Sequence, residues 1–549
     1  MPSRDRPPSA AHPRPFRHAG LLWDDFDPDS AWLRETAVLR FRKPAGPAPF
    51  TLVGRRRAHP ELRGLERGQP GLRVRVNGQP AGELPPGAPG DWSLPLALPA
   101  GEQVELTLEL IGNGLTNALA WAGRVTGLPA WGRFRAQRRN RQLRLLALRA
   151  EDGAAVCDFS RPDAVFAAAY RRRHARLGIN LVGFLTADLG VGESARCMVR
   201  AADAAGLPAA LVPLRLNCRN RLGDDTYAAR LSPENPHPMN VFHIDPPAAA
   251  EIDHHHGRAF RAGRYNIGYF AWELPEFPDA WLPSFDHFDE IWCPSDFTAA
   301  AVREKSPLPV LTFPHAIAFA APPESPEALR RQFGLPAGKF LALTLFDLNS
   351  YAARKNPRGA IAAFRAAGLD PRTAGLVVKV HNVAGNKADF AALEAELRQL
   401  PGTVLLTATL SRTDLYALEA ACDCLLSLHR SEGFGLAVAE CMHLGKPVIS
   451  TDWSATAEFV TPANGCPVPA RLVTLDATHG PYARGGIWAD PDVAAAAAHL
   501  RRLATDPALA ARLGAAARAT IAERFAPAVI GARYRRRLEA LALQDLPRG

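Results

Sequence analysis

Between residues 176 and 451 the sequence alternates short apolar runs with helical segments, and it does so twice. No other feature constrains the fold as tightly, because buried apolar strands joined by helices build parallel sheets covered on both faces. In the first array the apolar runs are 178–185, 239–244, 266–270, 290–293 and 310–313. A helix is expected from near Glu193 to a stop at Gly206, and Ser295 is placed to cap the helix that follows Cys293. After Pro323 the pattern restarts, with strands expected at 340–348, 375–383, 403–409, 425–429 and 447–451 and helices at 358–367, 388–400 and 413–421. The Ala-rich segments 493–504, 507–524 and 528–543 read as helices.

Ahead of these arrays, residues 35–160 follow a period of two. Leu72, Val74 and Val76 alternate with arginine, and Asn77-Gly78 then offers a hairpin turn. Val104, Leu106, Leu108 and Leu110 alternate with Glu and Thr, and Leu143 and Leu145 begin another run. An antiparallel sandwich is expected, resembling jelly-roll modules that often bind carbohydrate. Scaffold and sugar-binding roles are both open for it. The first twenty residues carry Pro7, Pro8, Pro13 and Pro15 and lack the apolar centre of a signal peptide. Residues 1–34 are read as a disordered tail of a cytoplasmic protein.

With 549 residues, 47% hydrophobic and 22% charged, the chain has room for about three domains. Its apolar stretches run about ten residues, short of the ~20 that cross a bilayer. Eight cysteines include no CxxC pair, so buried reduced thiols are expected; Cys422 and Cys424 would share a face of a strand. The formal charge of +10 comes with arginine runs at 55–57, 138–141, 171–173 and 535–537. These read as solvated faces, or as attraction to phosphorylated ligands or an anionic membrane. Their wide spacing and the lack of a recognised module argue against nucleic acid. His254, His255 and His256 are too close together on one short segment to converge on an ion, so a polar loop is expected and no metal site.

The stretch His429-Arg430-Ser431-Glu432-Gly433-Phe434-Gly435-Leu436-Ala437-Val438-Ala439-Glu440 follows an apolar strand and opens a helix stopped at Gly445. Such a position is the C-terminal edge of a parallel sheet, where these folds bind ligands. Gly433 and Gly435 let backbone approach a ligand and expose amide groups suited to a phosphate or sugar oxygen.

Here the chain resembles the retaining glycosyltransferases of family 4, which have the GT-B fold of two facing Rossmann-like domains. Their hallmark is a pair of glutamates separated by seven residues, matched by Glu432 and Glu440. The resemblance implies that Glu432 binds hydroxyls of the donor sugar near the reacting carbon, and that Glu440 binds the ribose hydroxyls of the nucleotide. Ser431, Gly433, Phe434, Gly435 and Leu436 would complete the donor loop. The stretch Asp347-Leu348-Asn349-Ser350-Tyr351-Ala352-Ala353-Arg354-Lys355-Asn356-Pro357 resembles the family's phosphate loop, with Lys355 as the lysine that neutralises the diphosphate. The family often has an arginine where this chain has Ser350, and Arg354 would supply the second cation beside Asn356. Lys379, with His381, ends a strand and could face the cleft or form a solvated strand end. Thr456, with Ser454 and Ala455, starts a helix whose amides could reach the diphosphate.

In the first array, Gly190, Gly192 and Glu193 resemble the glycine-rich loop of bacterial members, on the acceptor side. Asn266–Leu274 also resembles those members. There Trp272 would stack on a sugar while Glu273 binds hydroxyls; a core tryptophan with a rim carboxylate is the competing reading. His243 and Asp245, at the end of the preceding strand, are further candidates.

The β-rich domain 35–160, read from its patterning, lies outside the resemblance, which covers about 176–545. The resemblance implies domains at 176–325 (acceptor side) and 326–525 (nucleotide-sugar side), with a C-terminal helical segment 526–549 that could cross back to the first lobe. It implies sugar transfer from an NDP-sugar, with UDP-glucose and GDP-mannose both open, to a saccharide or lipid-linked acceptor with retained configuration. No cofactor or essential metal is expected. The setting would be surface polysaccharide synthesis, cytoplasmic and peripheral at the inner membrane face. The alternatives are an epimerase or phosphorylase on the same fold, or a non-catalytic sugar-nucleotide-binding scaffold.

Overall fold

The structure is a computed structural model that describes residues 16–23, 29–43, 48–57, 69–99, 103–112, 142–160, 177–214, 216, 218 and 220–542. The arginine runs 138–141 and 171–173, and most of the expected tail, lie outside the described residues. Nine strands come first: β1 (Arg17–Leu22), β2 (Trp32–Arg42), β3 (Ala48–Arg56), β4 (Gly71–Val76), β5 (Gln79–Leu84), β6 (Gly90–Leu98), β7 (Gln103–Ile111), β8 (Leu143–Ala150) and β9 (Ala155–Asp158). They form two antiparallel sheets, ordered β1-β2-β7-β4-β5 and β6-β3-β8-β9. Alternation explains the packing: on β6, Trp92, Leu94, Leu96 and Leu98 are buried and the residues between them exposed. Asn77 and Gly78 turn β4 into β5 with φ of 49° and 80°, as a two-residue hairpin requires. One expectation fails. Residues 17–22, assigned to the tail, are an edge strand paired with β2, and Leu21 is fully buried.

The first α/β lobe contains β10 (Ile179–Gly183), β11 (Ala209–Pro213), β12 (Met239–His243), β13 (Tyr265–Tyr269), β14 (Glu290–Cys293) and β15 (Val310–Thr312). They lie parallel in the order β11-β10-β12-β13-β14-β15. β10, β12 and β13 are buried along their whole length, as helix-covered parallel strands must be. The helix after β10 spans Gly190–Ala204, three residues longer at its start than expected. The three histidines 254–256 lie in a single helical turn, Ile252–His256, rather than a loop.

The second lobe contains β16 (Phe340–Asp347), β17 (Ala374–His381), β18 (Thr403–Leu406), β19 (Cys424–Ser427), β20 (Val448–Thr451) and β21 (Cys466–Val468), parallel in the order β18-β17-β16-β19-β20-β21. The order reverses between β16 and β19, and a crevice opens at the C-terminal ends of such neighbours. Cys422 precedes β19, so it does not share a strand face with Cys424; all eight cysteines are free. A hairpin of β22 (Ala470–Thr474) and β23 (Ile487–Pro491) is added beside this sheet.

The helix Pro527–Leu541 returns to the first lobe and lies along Gly190–Ala204. It fits because residue 531 is glycine: a Cβ there would stand 2.1 Å from the Ala201 carbonyl oxygen. Arg537, expected on a solvated run, is buried and pairs with the fully buried Glu290, donating from Nε at 3.0 Å. Tyr265 and Trp292 also donate to that carboxylate, at 3.0 and 2.6 Å. Among the described residues no helix is long and apolar enough to cross a membrane.

Candidate active site

The loop after β16 and the loop after β19 meet at the crevice. Lys355 Nζ lies 2.5 Å from Glu432 Oε1, and Arg354 Nη1 lies 3.2 Å from Glu432 Oε2. Burial alone would raise the Glu432 pKa; Lys355 and Arg354 overcome it and hold the carboxyl well below the usual carboxylate range. Arg354 is itself buried. Its guanidinium donates to the Ser431 carbonyl at 2.8 Å and lies 3.8 Å from Glu273 Oε1 of the first lobe. Tyr482, on the loop between β22 and β23, donates to Glu273 Oε2 at 3.1 Å, and its ring lies 5.8 Å from the Arg354 guanidinium carbon. Two cations thus face two carboxylates, one from each lobe.

The loop Ser431–Gly435 has a backbone built for close approach. Gly435 has φ of 93°, and a Cβ on it would lie 2.5 Å from Thr456 Cγ2. The helix Leu436–His443 starts there without a side-chain cap. Among the described residues the amides of Gly433, Phe434, Gly435 and Leu436 donate no backbone hydrogen bond. Unpaired amides at a helix start suit an anion. The side chains of the loop mostly face inward. The Phe434 ring packs against His315, Phe459 and Phe525, so the side chain anchors the loop and only the residue's amide faces a donor. Thr456 bonds His429 Nε2 at 3.0 Å beneath the loop, so its hydroxyl is likewise committed. Ser431 donates to the Glu273 carbonyl, and Ser295 donates to the Gly433 carbonyl at 2.7 Å; both bonds join the lobes. Ser295 also caps its helix by accepting from Thr298 N, which agrees with the sequence.

Glu440 is buried, and Arg412 Nη2 pairs with its Oε1. Arg412 Nε is also 3.6 Å from Glu193 of the first lobe. Glu193 pairs with Arg196 and Arg200 at 2.9 and 2.5 Å. Burial would raise its pKa, but Arg412, Arg200 and Arg196 hold it down at about 2. Glu419 lies buried near Glu440 with no hydrogen-bond partner on either oxygen. Burial and the Glu440 charge push its pKa well up. Burial raises the Glu440 pKa as well, against the pull of Arg412, so the two carboxyls titrate as a coupled pair.

Several side chains proposed for ligand contact are occupied by the fold. Asn356 donates to the Leu428 carbonyl at 2.8 Å and accepts from Gly359 N, tying the loop after β16 to the end of β19. Lys379 donates to the Val380 carbonyl at 3.0 Å, and burial lowers its pKa to about 8. His243 is buried, stacks on Tyr269 at 4.5 Å and bonds Ser194 at 3.0 Å, so it belongs to the core. Trp272 is 2% exposed and wedged between Phe277, Trp281 and Tyr482, so it is no open platform. Glu193 also faces protein, not the cleft opening. Gly190 is exposed, whereas a Cβ on Gly192 would meet the Ala187 carbonyl oxygen at 2.6 Å, so Gly192 serves the turn. Arg412 and Tyr482 were not singled out in the sequence. Nothing local marks either one; both reach the site only through tertiary packing.

Residues 327–520 match the family described as glycosyl transferases group 1. No curated protein matches the chain. Among solved structures, HepE of Anabaena in complex with UDP and glucose is 15% identical, with 65% of this chain and 98% of that chain covered and a TM-score of 0.50. Sucrose-phosphate synthase from Thermosynechococcus elongatus is 16% identical over 65% and 97%, with a TM-score of 0.48. A glycosyltransferase from Rickettsia africae is 13% identical over 67% and 99%, also at 0.48. The likeness to HepE is one of fold, and that fold is GT-B.

Proposed function

We propose that this chain, which carries a group 1 glycosyltransferase domain on a GT-B fold, transfers a sugar from a nucleotide diphosphate sugar to a saccharide acceptor, as a retaining enzyme of the family 4 type. The observation that carries this reading is the Lys355–Glu432 pair beside unpaired loop amides at the sheet's crevice. Lys355 and the amides of Gly433–Leu436 bind the diphosphate and stabilise the charge it gains as the glycosidic bond breaks. Glu432 then receives hydroxyls of the donor sugar, and Glu440 those of the ribose. Arg354 steadies Glu432 from the buried side. Donor entry requires the bonds from Ser295, Ser431 and Tyr482 across the lobes to part, and their return excludes water.

Lysine and amides neutralise the diphosphate in this reading, so turnover in EDTA equals turnover without it. The UDP bound to HepE makes uridine nucleotides the first probes. A lipid-linked acceptor of surface polysaccharide synthesis fits a cytoplasmic enzyme with a net charge of +10 that touches anionic membrane. Sedimentation with phosphatidylglycerol vesicles reads that contact. The main test is a melting-temperature screen with UDP, GDP and their sugars, followed by product analysis with saccharide acceptors. A shift with at least one nucleotide sugar and a glycosylated product are expected. Full turnover by the Lys355→Ala, Glu432→Gln double variant would sink the reading.

A further inference from the structure

Asp245 stands two residues beyond β12, and β12 pairs in parallel with β13, His243 opposite Tyr269. Continuing that register brings Asp245 alongside the segment that carries Glu273. Both lie past the C-terminal strand edge, the ligand side of a parallel sheet. Asp245 is exposed, while Ile244 and Pro246 on either side are buried. It precedes the turn Pro246–Glu251 without a side-chain cap bond. The protein around the carboxyl pushes its pKa up to about 6, through desolvation first and the charge of the neighbouring Glu273 second. Glu273 leads through Arg354 to Glu432. Glu273 is itself engaged by Tyr482 and Arg354, which leaves Asp245 as the carboxylate with open acceptor positions.

We propose that Asp245 orients the acceptor: its carboxylate receives the hydrogen bond of the attacking saccharide hydroxyl and then the proton. The inference rests on the transfer reading above and adds the acceptor's docking group to it. In the step, the hydroxyl oxygen bonds to the anomeric carbon. The bond from that carbon to the diphosphate breaks, and its electron pair leaves on the diphosphate. The hydroxyl proton passes to Asp245 and from there to solvent. An aimed carboxylate of this kind supplies about 100-fold or more in rate.

The test compares the full-length protein with Asp245→Asn, using UDP-glucose, UDP-N-acetylglucosamine and GDP-mannose as donors. Water and p-nitrophenyl α- and β-glucosides serve as acceptors. Donor binding is read by melting temperature and turnover by nucleotide release. The variant is expected to melt like the parent and to gain the same donor shift, while nucleotide release falls about 100-fold. Release within about twofold of the parent overturns the proposal, and so does a loss confined to donor binding. If the parent itself neither binds nor cleaves any donor, the transfer reading falls and takes the acceptor role with it. A parent that is active beside an equally active variant removes only the role of Asp245.

Discussion

The Lys355 ammonium meets Glu432 Oε1 at 2.5 Å, and the two residues come from loops on either side of the point where the second sheet reverses its strand order. A cation and an anion are thereby stationed together at the place in the second sheet where neighbouring crossovers diverge. The pair is built to exchange partners: a diphosphate can take the ammonium while sugar hydroxyls take the carboxylate.

Lys355→Ala is expected to lower nucleotide release by about 100- to 1,000-fold with little loss of stability, because Arg354 still pairs with Glu432. Glu432→Gln is expected to cost both activity and about 3 kcal/mol of stability, since it strips the charge partner from the buried Arg354. Steady-state kinetics and urea unfolding of the two variants check the contrast.

Tyr482→Phe removes the bond to Glu273 and keeps the ring against Arg354, so a loss of about 1 kcal/mol is expected. Tyr482→Ala removes the ring as well, and amide exchange across 349–355 and 271–276 should quicken. Hydrogen exchange mass spectrometry reads the difference; equal exchange in both variants would show that the ring does not brace the lobes.

Glu193 makes stability depend on acid. Its folded pKa, about 2, lies below the ordinary value of 4.5, so its contribution is complete above about pH 4.5 and fades as pH falls toward 2. Glu193→Gln should flatten the stability profile in that window and destabilise the protein at neutral pH, where Arg196, Arg200 and Arg412 lose their shared carboxylate. Urea midpoints from pH 2 to 7 measure it.

Gly435→Ala meets two penalties, a φ of 93° and a contact of 2.5 Å with Thr456 Cγ2. A loss of about 1–3 kcal/mol is expected, with weaker nucleotide binding because the loop amides move. Calorimetry with UDP, compared with Thr456→Ser in the same background, separates the contact from the backbone strain.

Much of this architecture was legible in the sequence. Runs such as 239–244 and 340–348 are too apolar to lie anywhere but inside a covered sheet, and β12 and β16 formed there. β11 was missed because its five residues, Ala209–Pro213, form an edge strand, half-buried and too short for a pattern to show. The hairpin β22–β23 is similarly exposed on β22. At the site, the motif around Glu432 and the phosphate loop came together because glycine spacing and strand context are local signals. The direction a side chain takes is not local. His243 was a candidate for a ligand and Trp272 for a ligand or the core, and both pack among aromatic neighbours. Asn356 and Phe434 sit within the motif but serve its scaffold. Conversely, Arg412 gives no sign of its role until the helix Arg412–Ala421 packs beside Glu440.

The clasp between Arg537 and Glu290 has a temporal side. The segment that neutralises Glu290 is synthesised after the whole of the second lobe, so a growing chain carries an unfinished first lobe while its partner takes shape. Ribosome-bound chains stopped at residue 526 should therefore leave Trp292 open to quenching, and those carrying a C-terminal linker long enough to bring Leu541 out of the exit tunnel should seal it. The first lobe, though it begins earlier in the chain, is thus completed last, by the helix Pro527–Leu541.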